Sequence, residues 1–355
     1  MKILIVAGGT GGHLYPGIAL ARALVGHEVI FAVRRGDLGR EILVKEGFAV
    51  EEMTGQGLPR ALSIRIFTFP FKFLWGWIES AWLLKRIHPD QLVGMGGYLS
   101  VPLVMTAHLL GIKTLLHEQN VFPGLANRFL SRFADSVAVS FPASADHFKD
   151  KKVWVSGLPI RPEIGQIDQT TGRRNFGLGM EVPTFLIFGG SLGAQRLNNV
   201  VMEAWPLLLK KGLVFQVLHI TGTKDFERVE KLYRGLSFGA KVLPYCHQMA
   251  DAYAAADAVV CRAGASTVAE LLAVKRQALL VPYPHASNNH QLFNAEVIQK
   301  AGLGQVVLDA DLNASNLSQF LANAISHKEA KVMPDTSYRD ASARLAAYLT
   351  SDQPV

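Results

Sequence analysis

Cysteine is scarce in this chain, with only Cys246 and Cys261 among 355 residues. The two do not form a CxxC pair, so they offer neither a disulfide framework nor a zinc site built on cysteine. Such sparse cysteine usage is typical of proteins that work in a reducing cytosol. The sequence therefore excludes the class of small disulfide-stabilised secreted domains.

Long uninterrupted apolar runs are also missing. The first apolar run, residues 3–6, is shorter than the roughly seven to fifteen residues of a signal-peptide core, so we expect no signal peptide. Residues 64–84 are rich in apolar side chains, but Pro70, Lys72 and Glu79 interrupt them. No stretch there approaches the roughly 20 apolar residues that a membrane-spanning helix needs.

Two common nucleotide-binding motifs are absent from the first glycine-rich stretch, AGGTGGHLYP at residues 7–16. No lysine follows its glycines, which excludes a P-loop, and the dinucleotide fingerprint G-x-G-x-x-G fits Gly9 and Gly11 but fails at Leu14. The second predicted strand ends in Arg34 and Arg35, where an NAD site has an acidic residue. The positive charge of these two arginines is compatible with NADP, but the spacing of the glycines argues against a dinucleotide site.

Lysine- and arginine-rich runs with interleaved aromatic residues are lacking, so nucleic acid is not an expected partner. The net charge is nevertheless +7, which favours an acidic partner such as anionic lipid or a phosphorylated substrate. No DxD-type acid pair accompanies the glycine-rich loops at a strand end. We therefore expect neither a metal nor another cofactor.

What the sequence does contain is a repeated alternation of short apolar strands and helices, which predicts parallel sheets covered by helices. The predicted strands lie near residues 3–7, 28–33, 48–53, 91–93, 113–116, 136–139, 184–188, 214–219, 241–243, 257–260, 277–281 and 304–308. We expect an α/β protein of two tandem doubly wound, Rossmann-like domains, residues 1–162 and 163–335. A last helix, about residues 336–350, could pack back on the first domain.

Glycine-rich turns lie between strands and helices. Glycines allow close backbone approach and the N–H groups of a helix start attract anions, so residues 7–16 predict a phosphate-type site. The alternative is a tight turn without a ligand. A second turn, GMGGY at residues 94–98, and the polar run HEQN at residues 117–120 are expected at the same sheet edge. We expect that polar run to be exposed and functional.

Two further turns are predicted in the second domain. GGSLG at residues 189–193 fits a phosphate turn, but also the nucleophile elbow of a hydrolase, with Asp257 and His285 or His290 as partners. RAGAST at residues 262–267 could approach a diphosphate, with Glu270 accepting hydrogen bonds from ribose hydroxyls. The alternative is a capping box between Thr267 and Glu270. Because no DxD-type acid pair is present to hold a metal, the charge on a leaving diphosphate would be stabilised by helix dipoles and Arg161.

The aromatic segment at residues 64–84 has two open interpretations. Aromatic residues bracketed by cations suit the headgroup boundary of an anionic membrane. The alternative is a core helix or a dimer contact. The residues that would form the membrane patch are Phe67, Phe71, Lys72, Trp75, Trp77, Trp82, Lys85 and Arg86.

Taken together and in this order, GGTGGH, GMGGY, HEQN, GGSLGAQ, RAGASTVAE and HQ-x-x-NA closely resemble the MurG family, glycosyltransferase family 28. The resemblance covers nearly the whole chain. It implies GT-B architecture and an inverting enzyme that moves GlcNAc from UDP-GlcNAc to the muramyl 4-hydroxyl of lipid I, giving lipid II. Peptidoglycan synthesis, cell-wall biogenesis, cell shape and cell division are the implied processes.

The resemblance also implies a division of labour between the domains, with acceptor and membrane on the first and UDP-GlcNAc mainly on the second. Glu270 would bind the ribose, Gln291 the sugar hydroxyls and Arg161 the nucleotide. The residues implied for UDP-GlcNAc binding are Thr10, Gly11, Gly12, Asn120, Arg161, Ser191, Cys246, Ala265, Ser266, Thr267, Val268, Ala269, Glu270 and Gln291.

Three positions depart from the family pattern. Leu158 replaces an asparagine of the linker motif, Cys246 stands where the uracil-contacting residue is usually Ile, and Ser266 replaces a bulkier apolar residue. None of these changes removes a candidate catalytic group.

Inverting transfer needs a base for the acceptor hydroxyl, and a histidine suits that role near neutral pH. We expect His13 to be the base, with Glu118 and Asn120 as reserve candidates. The alternative for His13 is helix capping or a contact to the acceptor diphosphate.

The implied partners are UDP-GlcNAc, lipid I, an anionic membrane surface and other cell-wall synthesis enzymes. The implied location is peripheral, at the cytoplasmic face of the plasma (inner) membrane. Two other functions remain open from the residues alone. One is a membrane-associated sugar-nucleotide binding protein without catalysis, and the other is a UDP-GlcNAc 2-epimerase on the same fold.

Overall fold

The computed structural model describes residues 1–8, 11–54, 65–148, 152–190, 193–326 and 339–351, with side chains described from residue 74 onward in the helix that begins at residue 65. The chain divides into two compact units, Met1–Arg161 with Ser337–Val355, and Pro162–Thr336. Each unit is built on its own parallel sheet.

The first unit contains a seven-stranded sheet in the order β3-β2-β1-β4-β5-β6-β7. All its strand pairs are parallel. The strands are β1 (Lys2–Val6), β2 (Glu28–Arg34), β3 (Ala49–Met53), β4 (Gln91–Gly94), β5 (Lys113–Glu118), β6 (Ser136–Val139) and β7 (Val153–Val155). The sequence analysis did not predict β7, because its apolar run, Val-Trp-Val, is only three residues long.

Helices cover both faces of this sheet. They are α1 (Gly11–Ala23), α2 (Gly39–Lys45), α3 (Arg65–Ile87), α4 (Ser100–Leu109) and α5 (Leu125–Leu130), with a 3₁₀ helix at Pro142–Phe148. Successive residues of β1 point to opposite faces. Ile3 and Ile5 therefore join the core formed with α1, and Leu4 and Val6 join the core beneath α3 and α4.

Helix α3 contains most of residues 64–84, for which the sequence left two interpretations open, a membrane patch or a core helix or dimer contact. Its C-terminal turns do cover the sheet, because Leu83, Leu84 and Ile87 are buried in the same core as Leu4. The sequence obscured this because the aromatic residues ahead of them interrupt the apolar period of a sheet-packing helix.

The second unit contains a six-stranded parallel sheet in the order β10-β9-β8-β11-β12-β13. Its strands are β8 (Thr184–Phe188), β9 (Gln216–Ile220), β10 (Ala240–Leu243), β11 (Ala258–Cys261), β12 (Gln277–Leu280) and β13 (Gly304–Val306). Its helices are α6 (Gln169–Phe176), α7 (Gln195–Lys210), α8 (Phe226–Tyr233), α9 (Met249–Ala255), α10 (Ala265–Val274), α11 (His290–Lys300) and α12 (Ala314–Ser326), with a 3₁₀ turn at Ser287–Asn289. Buried aromatic residues, including Phe185, Trp205 and Phe215, fill its core.

The last helix, α13 (Ala341–Thr350), belongs to the first unit. Its Leu345 and Leu349 are fully buried in the core formed with α1. The side chain of Gln91 donates to the carbonyl of Leu349 at 2.7 Å, and Arg344 donates to the carbonyl of Ser156 at 2.7 Å. These contacts fasten the end of the chain to the first sheet.

Both sheets reverse their strand order at one point, between β1 and β4 in the first unit and between β8 and β11 in the second. Ligands of open α/β sheets bind at the carboxyl ends of the strands at such a switch point. The turns that follow β1, β4, β8 and β11 are the four glycine-rich or small-residue turns of the sequence. The topology therefore brings two of these turns to each switch point.

Candidate active site

His13 lies at the first switch point, as the third residue of α1. Its Nδ1 is 3.2 Å from the carbonyl oxygen of Gly8. A carbonyl only accepts hydrogen bonds, so Nδ1 carries the hydrogen of the neutral ring and Nε2 is the basic nitrogen. The half-buried imidazole is thus held in the tautomer that a general base needs.

The glycine turn after β4 forms the surface on which this imidazole lies. Gly96 and Gly97 have φ of +99° and +82°, a region that residues other than glycine rarely occupy. A methyl group added at Gly96 would be 3.2 Å from His13 Nε2 and 3.3 Å from Asn127 Nδ2. Glycine is therefore needed at Gly96 both for the backbone and for the position of the ring.

The HEQN run is not exposed, contrary to the expectation from the sequence. His117, Glu118 and Gln119 have 0%, 1% and 2% of their surface exposed, and only Asn120 is half-buried. The reason is that β5 extends to Glu118, two residues beyond its predicted end, and so carries these side chains into the sheet.

The carboxylate of Glu118 organises the loop that follows β5. Its Oε1 accepts from the backbone N–H of Asn120 at 2.9 Å and from Asn120 Nδ2 at 3.2 Å. Its Oε2 accepts from Asn127 Nδ2 at 2.8 Å and from the backbone N–H of Gly124 at 3.1 Å. Burial raises the pKa of Glu118, and these hydrogen bonds oppose part of that shift. Both carboxylate oxygens of Glu118 therefore already accept hydrogen bonds from the protein itself.

His117 is a buried neutral histidine. Its Nε2 donates to the carbonyl of Gly157 at 3.1 Å, and its Nδ1 accepts from Gln119 Nε2 at 3.1 Å. Burial lowers the pKa of His117 to about 4. The Gln119 amide also donates to the carbonyl of Met95 at 2.8 Å, so this network joins β5 to the Gly96 turn.

Sequence reasoning missed Asn127, which lies in α5 and is buried. Its amide nitrogen bonds both Glu118 and the carbonyl of His117, the latter at 3.1 Å. It also flanks Gly96. No motif spacing marked this residue, because its partners come from β5 and the Gly96 turn, which only the fold brings together.

Arg161, the last residue of the first unit's long N-terminal segment, lies beside the start of α1. Its guanidinium lies 5.7 Å from the ring centroid of Tyr15, and Tyr15 in turn lies against Gly11. Gly11 and Gly12 open α1, whose first turn has no acidic residue, and Gly12 is exposed. Leu158, the replaced asparagine position, is fully buried and so is accommodated as an apolar core residue.

Two residues predicted to bind UDP-GlcNAc, Thr10 and Ser191, lie outside the described residues. The turn that contains Ser191 is described at its ends. Gly193 has φ +74°, and a methyl group on it would be 2.5 Å from the carbonyl oxygen of Thr221. The exit from this turn is therefore packed directly against the end of β9.

Helix α10 begins at Ala265 with Gly264 as its N-cap residue, and no side chain caps it. The capping-box interpretation of Thr267 and Glu270 is therefore wrong, because Thr267 lies within the helix. Val268 N–H donates to Gly264 at 3.0 Å, so the N–H groups of Ala265, Ser266 and Thr267 are those without an acceptor inside the helix. Val268 and Ala269 have fully buried side chains.

Glu270, in the second turn of α10, has 8% of its surface exposed. Its Oε2 accepts a hydrogen bond from the hydroxyl of Tyr253 at 2.9 Å. Tyr253 is fully buried on α9. No local sequence pattern indicates this pair, because the two residues come from different helices.

Side chains tie the RAGAST turn to the neighbouring polar loop. Asn294 donates to the carbonyl of Ala263 at 3.2 Å, and Gln291 accepts from the backbone N–H of Tyr283 at 2.9 Å. Arg262 donates to the carbonyl of Pro282 at 3.2 Å. Cys246 is buried in the loop between β10 and α9. Across the described ranges, no cluster of His, Cys, Asp or Glu could hold a metal ion.

Two models of one known protein family match the chain. The model of the glycosyltransferase family 28 N-terminal domain matches residues 3–139, and that of the family 28 C-terminal domain matches residues 184–348. The chain belongs to glycosyltransferase family 28.

Relatives of this family 28 chain carry a more specific name. The protein from Thermoanaerobacter sp. (strain X514) is 42% identical over 89% of this chain and 89% of its own length. That from Elusimicrobium minutum is 37% identical over 92% and 91%. Both are named UDP-N-acetylglucosamine–N-acetylmuramyl-(pentapeptide) pyrophosphoryl-undecaprenol N-acetylglucosamine transferase.

Solved structures share the architecture of this family 28 chain. MurG from Acinetobacter baumannii matches with a TM-score of 0.75 and 27% identity, covering 97% of this chain and 98% of its own. This agrees with the predicted GT-B architecture of two Rossmann-like domains. A UDP-GlcNAc 2-epimerase from Neisseria meningitidis, solved with UDP-GlcNAc, matches with a TM-score of 0.69 at 12% identity over 98% and 99%. At that identity the likeness shows the fold alone.

The hydrolase interpretation of the family 28 chain is wrong on geometry as well. Asp257 precedes β11, at the amino edge of the second sheet. It forms an ion pair with Arg173 at 2.6 Å and accepts from the backbone N–H of Thr184, the first residue of β8, at 2.6 Å. The GGSLG turn and His285 follow the carboxyl ends of strands. Asp257 therefore lies across the sheet from them.

The exposed face of α3 is apolar over two turns. Leu74, Trp75, Ile78 and Trp82 have between 53% and 61% of their surface exposed. Arg86 lies 4.4 Å from the ring centroid of Trp82. Lys85 is exposed and Trp77 is half-buried, whereas the side chains of Phe67, Phe71 and Lys72 lie outside the described residues. No helix in the described part of the family 28 chain is long and apolar enough to cross a membrane.

Proposed function

We propose that the chain transfers GlcNAc from UDP-GlcNAc to the muramyl 4-hydroxyl of lipid I, undecaprenyl-pyrophosphoryl-MurNAc-pentapeptide, with inversion at the anomeric carbon. The relative that is 42% identical is named for this transfer. Within the structure, the observation that carries the proposal is the orientation of His13. Its Nδ1–H is bound to Gly8 at 3.2 Å, which directs the basic Nε2 toward the glycine turn at the first switch point.

In the proposed reaction the acceptor oxygen bonds the anomeric carbon while the bond from that carbon to the UDP oxygen breaks. The acceptor proton passes to Nε2 of His13, and UDP leaves with the electron pair. A base that removes this proton as the bond forms avoids a positively charged ether oxygen, which is the source of general-base acceleration.

The second unit would bind the donor. The N–H groups of Ala265, Ser266 and Thr267 at the start of α10 suit a diphosphate, and no acidic side chain in that first turn opposes the positive end of the helix. Glu270 would accept from the ribose hydroxyls. Gln291, already fixed to the loop of Tyr283, would contact the sugar.

Glu118 acts in this proposal as a positioning residue. Four donors, three from the loop after β5 and one from Asn127 in α5, bind its carboxylate. Glu118 is therefore better suited to fix Asn120 and Asn127 than to take the acceptor proton. Asn120 would contact the transferred sugar. We assign the base to His13 alone.

We also propose that the exposed face of α3 rests on an anionic membrane surface, at the cytoplasmic face where lipid I would be presented. The support is the apolar face of Leu74, Trp75, Ile78 and Trp82, with Lys85 and Arg86 at its C-terminal end. Aromatic residues favour the headgroup region, and cations favour anionic lipids. The net charge of +7 acts in the same direction.

The deciding experiment is a transfer assay with labelled UDP-GlcNAc and purified lipid I, in which lipid II is measured. The wild-type protein should consume the acceptor. Binding of UDP-GlcNAc without lipid II would indicate a sugar-nucleotide binding protein. Conversion of UDP-GlcNAc to its 2-epimer without the acceptor would indicate an epimerase.

His13→Ala tests the assigned base in the same assay. We expect turnover to fall by roughly 100-fold or more, the usual contribution of general-base catalysis, while the affinity for UDP-GlcNAc stays near the wild-type value. His108→Ala is the matched control, because His108 is exposed at the end of α4. Turnover retained by His13→Ala would refute the assignment.

A further inference from the structure

The carboxylate of Glu270 is held from behind by a second residue. Glu270 has 8% of its surface exposed and Tyr253 has none. The tyrosine hydroxyl donates to Oε2 at 2.9 Å, a hydrogen bond to a charged acceptor, which is stronger than one between neutral groups. The terminal torsion of a glutamate is otherwise broad. This contact therefore fixes the plane of the carboxylate.

Tyr253 is itself anchored on the strand that leads to the GGSLG turn. Its ring meets that of Phe188 edge to face, with centroids 6.0 Å apart and planes at 82°. Phe188 ends β8, directly before Gly189. One buried side chain thus joins α10, which carries Glu270, to the strand end from which the neighbouring turn begins.

We propose that Tyr253 is a positioning residue for the nucleotide, which orients Glu270 so that the carboxylate meets the ribose hydroxyls of the donor. The inference rests on the proposed function, in which Glu270 binds the ribose. A carboxylate fixed before the ligand arrives loses less conformational freedom on binding, so the affinity for the ribose depends on the tyrosine hydroxyl.

Tyr253→Phe removes the hydroxyl and keeps the ring against Phe188. Isothermal titration with UDP and with 2′,3′-dideoxy-UDP separates its effect on the ribose from its effect on the rest of the site. We expect Tyr253→Phe to bind UDP about tenfold more weakly, as the loss of one hydrogen bond to a charged group implies. Its affinity for dideoxy-UDP should equal that of the wild type.

Steady-state kinetics provide a second readout. In the transfer assay KM for UDP-GlcNAc should rise about tenfold in Tyr253→Phe, in proportion to the lost affinity, while kcat changes little. Glu270→Gln should abolish the discrimination between UDP and dideoxy-UDP. In the double variant the two substitutions should not be additive, because both act on one contact.

Tyr233→Phe is the matched control. Tyr233 is also buried in the second unit, and its hydroxyl accepts from Trp205 at 3.1 Å and contacts His219 at 3.0 Å. This variant should lose thermal stability without a change in the preference for UDP over dideoxy-UDP.

The outcomes separate the inference from the proposed function. Failure of the wild type to bind UDP would overturn the proposed function. If the wild type binds UDP but does not discriminate against dideoxy-UDP, Glu270 does not bind the ribose and the inference falls with that role. If Tyr253→Phe keeps the wild-type preference, or weakens both nucleotides equally, Tyr253 has only a structural role and the inference is wrong.

Discussion

Gly96 determines where the imidazole of His13 can lie. Its φ is +99°, and a methyl group on it would be 3.2 Å from Nε2 of His13 and 3.3 Å from Nδ2 of Asn127. Because Nδ1 is held by Gly8, the ring has little room to turn away. The position of the Nε2 that we propose as the general base thus depends on a residue without a side chain.

Gly96→Ala should therefore lower turnover more than stability. The backbone strain is about 1–2 kcal/mol, and a displaced ring of about 1 Å would reduce kcat roughly 100-fold. Gly111→Ala is the control, because Gly111 has φ +69° with nothing within 4 Å of the added methyl. Urea unfolding and the transfer assay separate the two effects. Equal losses of turnover in both variants would contradict the steric argument.

Single residues show what the sequence could and could not predict about the site. The glycine turns, with His13 beside the first of them, can be located from the sequence, because their backbone requirements and their positions after strands are local. The burial of His117 and Glu118 cannot be predicted in this way, because it depends on how far β5 runs before the chain leaves the sheet. The contact of Tyr253 with Glu270 has no local signal at all.

At the scale of elements, α3 combines two roles that the sequence could not separate. Leu83 and Leu84 are buried in the core of the first unit, while Trp75 and Trp82 are 58% and 60% exposed. A membrane patch and a core helix were alternative interpretations of residues 64–84. The helix does contribute to the core at one end, and its other turns leave an apolar face exposed.

The exposed face of α3 gives a prediction about membrane binding. The double variant Trp75→Ala with Trp82→Ala should bind vesicles of phosphatidylcholine and phosphatidylglycerol about tenfold more weakly, because each substitution removes apolar surface that the membrane would otherwise bury. Binding by the wild type should decrease with salt. Val25→Ala with Val214→Ala, at 83% and 72% exposed, is the control. Unchanged vesicle binding by the tryptophan variant would assign this face another role.

The sequence predicts the elements of the fold better than it predicts where a particular helix begins. The helix–strand alternation and the class of the fold were predictable, because parallel sheets produce long series of apolar strands. The start of α10 was not, since the S/T-x-x-E pattern fits a cap equally well. Its N-cap is Gly264 instead, because only two residues separate it from Cys261, the last residue of β11.

At the scale of the whole molecule, each unit contains a fully buried neutral histidine. His117 belongs to the first unit and His219 to the second. His219 contacts the Tyr233 hydroxyl through Nδ1 at 3.0 Å and the side-chain oxygen of Asn198 through Nε2 at 3.1 Å. Burial lowers the pKa of His219 to about 3 and that of His117 to about 4. Both units should therefore respond to acid in the same direction.

The sign of that response follows from proton linkage. In the unfolded chain both histidines take up protons below their ordinary pKa of 6.5, whereas in the folded protein they do not. Their contribution to stability is complete above that pH and is lost as the pH falls. Between the unfolded and folded pKa values, each histidine lowers the free energy of unfolding by about 1.4 kcal/mol for each unit by which the pH falls. The loss ends near the folded pKa, first for His117 and later for His219.

His219→Gln isolates the second histidine. The variant should be less stable than the wild type at neutral pH, because the hydrogen bonds of the ring are lost. Its free energy of unfolding should then fall less steeply, by about 2 kcal/mol between pH 7 and pH 5. Urea unfolding across this range measures both slopes.

The raised pKa of Glu118 acts in the opposite direction, but equally in both proteins, so it cancels in the difference. His108→Gln, at an exposed site, should parallel the wild type. A parallel curve for His219→Gln would mean that His219 is protonated in the folded state over this range, and its burial would not control the acid stability of the second unit.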